Sequence, residues 1–209
     1  ISNIFMKNNL IPAATVLVLK DSDNGMEVLI VKRSKKPPFE NLYVFPGGKI
    51  DEGDNHKDWN LYCDGFNDLS ASKILNLRSC GLSYWIACIR ECFEEVGILL
   101  ATKRSGEKLD LLGKEKIKFD DYRKELINQN ISFLTICKKE DLVLSTKNIA
   151  PLSHWITPQF ETKRFDAPPP KRSSYLSFAS PKKLRFAPAP IVADRGALIM
   201  SATITPAEG

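Results

Sequence analysis

The chain has 209 residues, 43% of them hydrophobic and 26% charged, which suits one α/β domain with a buried core and argues against a disordered segment. Its net charge of +5 is uneven: residues 167–209 hold six Lys or Arg against two acids, so the rest is nearly neutral and gives no electrostatic ground for nucleic-acid binding. No apolar run is long enough to span a bilayer, and five cysteines without CxxC spacing, beside two histidines, argue against a disulfide framework or a zinc site.

In chain order, Ala14-Thr15-Val16-Leu17-Val18-Leu19 is apolar and β-branched enough for a buried strand, and Met26 to Val31 is a second. Asp21-Ser22-Asp23-Asn24-Gly25 between them is hairpin chemistry, so the two should pair antiparallel. Lys32, Arg33, Lys35 and Lys36 form a basic cluster, read either as a solvated loop or as a phosphate-binding edge. Phe45-Pro46-Gly47-Gly48-Lys49-Ile50-Asp51-Glu52-Gly53-Asp54 follows as a strand end running into a glycine bend. There the backbone can approach a phosphate or offer a carbonyl to a metal. Residues 55–82 carry Trp59, Tyr62, Phe66 and a short helix near Ser70 to Leu77. Their apolar content suggests a packed subdomain or lid that either shapes a pocket wall or covers an edge or a homodimer surface.

Ser83 to Leu99 is the centre of the functional reading. Glu91, Glu94 and Glu95, spaced i, i+3, i+4, lie together on one side of a helix, with Trp85, Ile89, Cys92 and Val96 on the other. Ser83 is the expected N-cap and Gly97 the left-handed stop. Three acids so close repel each other, which a hard divalent cation, Mg²⁺ or Mn²⁺, would offset; a solvated charged face is the other reading. Arg90 can hold one carboxylate in orientation. Beyond a polar turn after Leu100, helices are expected over Phe119 to Asn128 and Ile131 to Lys138, with Tyr122, Leu126, Phe133, Leu134 and Ile136 inward. His154 reads as a structural histidine or a ligand contact. From Ala167 the chain turns basic and proline-rich, with seven of its 13 prolines in this tail, although Lys183 to Ala187 and Ala197 to Ile204 suit short strands.

Gly48, five residues, Asp54, then Arg90-Glu91-Cys92-Phe93-Glu94-Glu95-Val96-Gly97-Ile98 resembles the signature of the Nudix hydrolases. That signature runs Gly, five residues, Glu, seven residues, Arg-Glu-U-x-Glu-Glu-x-Gly-U, with U bulky and apolar. The second half matches at every fixed position. The first half ends on Asp54 instead of Glu, and residues 55–89 stand where the pattern has seven. A box split in this way is similar to the subfamily with a long insert, which includes the peroxisomal coenzyme A diphosphatase of mammals and bacterial relatives. Val31-Lys32-Arg33-Ser34, Tyr84-Trp85 to Leu100, His154 to Pro158 and Lys163-Arg164-Phe165-Asp166 look similar to that group as well. Of its coenzyme A pattern the chain keeps Leu29, Arg33, Ser34 and Phe45 to Gly48, and lacks the internal Arg and Gly.

The resemblance implies an α/β (α+β) fold, the Nudix α/β/α sandwich with a mixed sheet. It spans a domain over 1–166 with 55–82 inserted in its box, followed by a divergent tail over 167–209. The implied activity is metal-dependent hydrolysis of a diphosphate bond in a nucleoside diphosphate linked to another moiety, with coenzyme A or acyl-coenzyme A leading. A nucleotide-binding module without turnover is the alternative. The implied ligands of Mg²⁺ or Mn²⁺ are Glu91, Glu94 and Glu95. The catalytic residues are Glu94, Arg90 and Glu91, and Arg33, Lys35, Phe45, Gly47 and Gly48 bind substrate. Some members take their base from a late loop, so the base stays open between Glu94 and that region. The expected partner is a small diphosphate substrate, with no nucleic acid or membrane and with a homodimer left open. The N-terminus shows no signal pattern and Ala207-Glu208-Gly209 is no peroxisomal address, so a cytoplasmic location is expected.

Overall fold

The computed structural model describes residues 10–23, 25–32, 43–153, 164–166 and 198–204. Strand β1 (Leu10–Ser22) extends the expected apolar run at both ends and buries Ala14, Val16 and Val18, the alternate positions of one sheet face. β2 (Gly25–Val28) pairs with it antiparallel, Leu19 opposite Val28, as the Asn-Gly turn implies. The second strand is shorter than Met26 to Val31: the chain leaves β1, and Val31–Lys32 (β3) pairs instead with Tyr43–Val44 (β4). β5 (Gly47–Lys49) returns to β1 antiparallel, with Ala14 opposite Gly48 and Thr15 opposite Gly47.

Helix α1 (Asp68–Leu75) lies in the insert, and α2 (Leu82–Val96) is the carboxylate helix. Between α2 and the end of the body come β6 (Ala101–Lys103), α3 (Gly113–Ile127), α4 (Phe133–Lys139), β7 (Leu142–Leu144) and β8 (Ile149–Ser153). Strand β6 replaces part of the expected polar turn and pairs antiparallel with β7. Helix α3 starts six residues before Phe119, and α4 keeps Phe133, Leu134 and Ile136 in the core. The short β9 (Arg164–Asp166) pairs parallel with the start of β1. From the tail, β10 (Leu198–Ile204) runs parallel to β1 and antiparallel to β8. The main sheet order is therefore β2-β1-β10-β8, with β5 and β9 also on β1. This is the mixed sheet of the expected α/β class. His154 and Lys183 to Ala187 lie outside the described residues, as does most of the tail.

Every residue of α2 from Leu82 to Arg90 is buried. The helix runs through the middle of the core, and only its last turns emerge. Gly97, at φ 73°, stops it as expected. Its start differs: Gly81 precedes it and Ser83 sits inside the first turn, donating its hydroxyl to Cys80 O at 2.6 Å. Capping falls to Asp68 of α1, whose carboxylate accepts from Leu82 N (3.1 Å) and Cys80 N (3.0 Å). A Cβ at Gly81 would run into the Ser72 backbone, so the bare glycine lets the two helices meet. The insert is thus packed and not a loose lid. Trp59 packs at a tilt against Phe133 (5.6 Å between centroids) and Phe66 against Trp85 (5.1 Å).

Trp85 is fully buried and its indole donates to Ile149 O at 2.9 Å, tying α2 to β8. Trp85→Ala should lower the unfolding free energy in urea by about 3–5 kcal/mol. A loss under about 1 kcal/mol would mean that α2 is not the centre of the core.

Candidate active site

Helix α2 leaves the core beside β5, which brings the end of the acidic run against the glycine bend. The N–H of Gly47 donates to Glu95 Oε2 at 3.1 Å. Gly48 lies so close to the Glu91 carboxylate that any Cβ there would overlap it, so a side chain at this position would fill the space that Glu91 occupies. A Cβ at Gly47 would meet Ala14 O at 2.6 Å and Thr15 at 2.7 Å, which is why the bend must be bare to lie on β1.

Arg90, 5% exposed, organises the acids. Its Nε and Nη2 donate to the two oxygens of Asp54 at 3.0 and 2.9 Å, a bidentate pair, and Nη2 also reaches Lys49 O at 2.9 Å. Its Nη1 donates to Glu91 Oε1 (3.1 Å) and Glu94 Oε1 (3.3 Å) and stands 3.6 Å from Asp51. Asp54 is held from the other side by the N–H of Asp51, at 2.8 Å. Arg123 of α3 closes the end of α2, donating to Glu94 O at 2.8 Å and Glu95 O at 2.9 Å. A cation at a helix C-terminus satisfies carbonyls that the helix leaves open.

Arg90 faces the carboxylates of Asp51, Asp54, Glu91 and Glu94, and Lys49 Nζ also stands 3.2 Å from Asp51, so among the described residues these four acids meet two cations. Burial pushes the Glu91 carboxyl up to about 7, with Glu94 and Glu95 adding to the rise and Arg90 opposing it. Glu94 and Asp54 are raised too, chiefly by burial, against the pull of Arg90.

Among the sequence candidates, Glu91, Glu94, Glu95, Arg90, Gly47 and Gly48 come together. Phe45 is half-buried just before the bend. Arg33 and Lys35 lie outside the described residues. The three glutamates do not converge on one point: Glu91 and Glu94 are drawn onto Arg90, and Glu95 onto Gly47 N. Among the described residues no three acids, thiols or imidazoles are grouped as ion ligands. The donor chemistry nevertheless fits a hard divalent cation, since carboxylates and backbone carbonyls are the oxygens such ions prefer. The bidentate role of Asp54 and the parts played by Asp51 and Arg123 are not among the sequence expectations. Asp54 was visible as the acid in the sixth place after Gly48, and nothing local marked Arg123. A separate cavity of about 510 Å³, lined by residues such as Tyr122, Glu125, Ile131 and Lys139 of the α3–α4 region, contains none of these groups.

A family model described as the NUDT19 Nudix domain matches residues 76–168, which takes in the second half of the box. The acyl-coenzyme A diphosphatase NUDT19 of Xenopus laevis is 26% identical, over 70% of this chain and 47% of that protein. The chain thus spans about half the length of that relative. In structure it resembles a crystal structure of a Nudix hydrolase from Alicyclobacillus acidocaldarius, at TM-score 0.62 and 18% identity, over 94% of this chain and 71% of the other. At that identity the likeness shows the fold.

Arg90→Met would leave the buried Asp54 carboxylate without its counter-ion and with the Asp51 N–H as its remaining donor. The variant should lose about 3–5 kcal/mol of stability in denaturant unfolding, and adding Asp54→Asn should restore part of it. A single variant as stable as the wild type would contradict a bidentate Arg90–Asp54 pair.

Proposed function

We propose that this chain, a member of the Nudix hydrolase superfamily, hydrolyses a diphosphate bond in a nucleoside diphosphate linked to another moiety, with Mg²⁺ or Mn²⁺ bound. The observation that carries this reading is the end of α2 set against the Gly47–Gly48 bend, with Glu91 against Gly48 and Glu95 on Gly47. Glu91 and Glu95, with a carbonyl of the bend, would hold the ion, and Glu94 either joins them or serves as base. A divalent ion held there would neutralise phosphate oxygens and make a bound water more acidic.

The remaining work belongs to the side chains. Arg90 fixes Glu91 and Glu94 through Nη1 and is itself fixed by Asp54, so these carboxylates are oriented before substrate arrives. Glu94 is held through Oε1, and as base it would take the proton of the attacking water on its other oxygen. Phe45, with Arg33 and Lys35 from the basic cluster, would line the substrate side, where two cationic side chains suit a polyphosphate. Coenzyme A or acyl-coenzyme A is the leading substrate. Its support is the name of the Xenopus relative and the Leu29, Arg33, Ser34 and Phe45 to Gly48 part of the coenzyme A pattern.

The test is incubation with Mg²⁺ or Mn²⁺ and a panel of coenzyme A, acyl-coenzyme A, nucleotide sugars, dinucleotides and nucleoside triphosphates. We expect metal-dependent release of two phosphate-ended products, reduced at least about 100-fold in Glu95→Gln. Equal degradation by both proteins would refute the site. Nucleotide-induced thermal stabilisation without turnover would make the chain a binding module instead.

A further inference from the structure

Trp59 stands in a 3₁₀ turn of the insert, Lys57–Leu61, and is 1% exposed. Its indole Nε1 donates to Gly53 O at 2.8 Å. Gly53 belongs to the preceding turn, Glu52–Asn55, and the next residue is Asp54, the acid that grips Arg90. The other donor to that carbonyl, His56 N, is at 3.4 Å, so the short bond comes from the insert.

The insert is in turn fastened to the body. Asp58 pairs with Lys138 at 2.5 Å, Leu144 N donates to Tyr62 O at 2.8 Å, Lys147 N donates to Asp64 Oδ1 at 3.0 Å, and Thr146 hydroxyl donates to Asp64 O. A chain of contacts thus runs from α4 and β7 through the insert to Gly53, Asp54, Arg90 and the glutamates.

We infer that Trp59 is a positioning residue, and that the insert splitting the box is a brace holding Asp54 against Arg90. Asp is shorter than Glu by one carbon–carbon bond, about 1.5 Å, so it reaches a bidentate geometry only where its backbone is drawn towards the arginine. The Glu52–Asn55 turn does this: Asp54 N donates to Asp51 O at 3.0 Å, while Asp51 N donates to the Asp54 carboxylate. Trp59 holds the carbonyl in the middle of that turn. Packing against Phe133 needs only an aromatic ring, whereas the bond to Gly53 O needs the indole N–H. The structural half of this inference stands without the hydrolase reading; its effect on metal binding rests on that reading.

Trp59→Phe in the full chain separates the two roles. In ¹⁵N-labelled protein, the Arg90 Nε–H should exchange with solvent at least about tenfold faster in the variant. The Trp85 indole N–H, bonded to Ile149 O, should be unchanged, and the melting temperature should fall by only a few degrees. Mn²⁺ affinity, followed by the resonance of free ion, should fall about tenfold. Unchanged Arg90 exchange in the folded variant would overturn the proposal. If the variant does not fold, the wild type decides: the Trp59 indole N–H and the Arg90 Nε–H should open with the same dependence on denaturant. Arg90 opening first would overturn it. Faster Arg90 exchange in the variant, with no Mn²⁺ binding by the wild type, would leave the brace standing and remove the hydrolase reading.

Discussion

The site depends on one buried ion pair. Arg90 comes from a helix whose preceding turns lie wholly in the core, so its guanidinium emerges at a fixed place. Asp54 takes Nε and Nη2, which leaves Nη1 to hold Glu91 and Glu94. A buried pair is weak ground for stability in itself, since desolvation cancels much of the attraction. What it provides in this fold is orientation: a planar donor fork, held on one edge, sets two carboxylates on the other.

Much of this was legible in the sequence because it is local. The 3.6-residue period of Trp85, Ile89, Cys92 and Val96 marks the helix, although α2 is buried on all sides from Leu82 to Arg90 and Val96 only partly so; Gly97 marks the stop, and the spacing of the glutamates puts them at one end of α2. The failures have physical causes. Ser83 looked like a cap, but the cap is Asp68, fourteen residues before Leu82, which only the packing of α1 on α2 brings near. Strands β6 and β7, of three residues each, are too short to show an alternation. Strand β10 falls within Ala197 to Ile204, a segment that reads as a short strand, but its central place between β1 and β8 is hidden by the prolines of the tail around it.

Asp54 shows best how sequence and structure divide the work. As a letter it is a departure, one methylene short of the pattern. In the fold it is the residue that Arg90 grips with two bonds, because its turn is closed on Asp51. The long insert, which breaks the box in sequence, lies next to that turn, buries Trp59 and packs the partly buried Phe66 against the core. An unusual linker and a shortened acid therefore sit at the same spot in space.

The proposed cation site lies where the end of α2 meets the β5 bend. Paramagnetic broadening by substoichiometric Mn²⁺ in ¹⁵N-labelled protein tests it most directly, because the effect falls steeply with distance and needs no substrate. The amide signals of Gly47, Gly48, Glu91 and Glu95 should disappear first, while those of α4 persist. Broadening centred on another part of the chain, or spread evenly over its acidic surface, would contradict the claim.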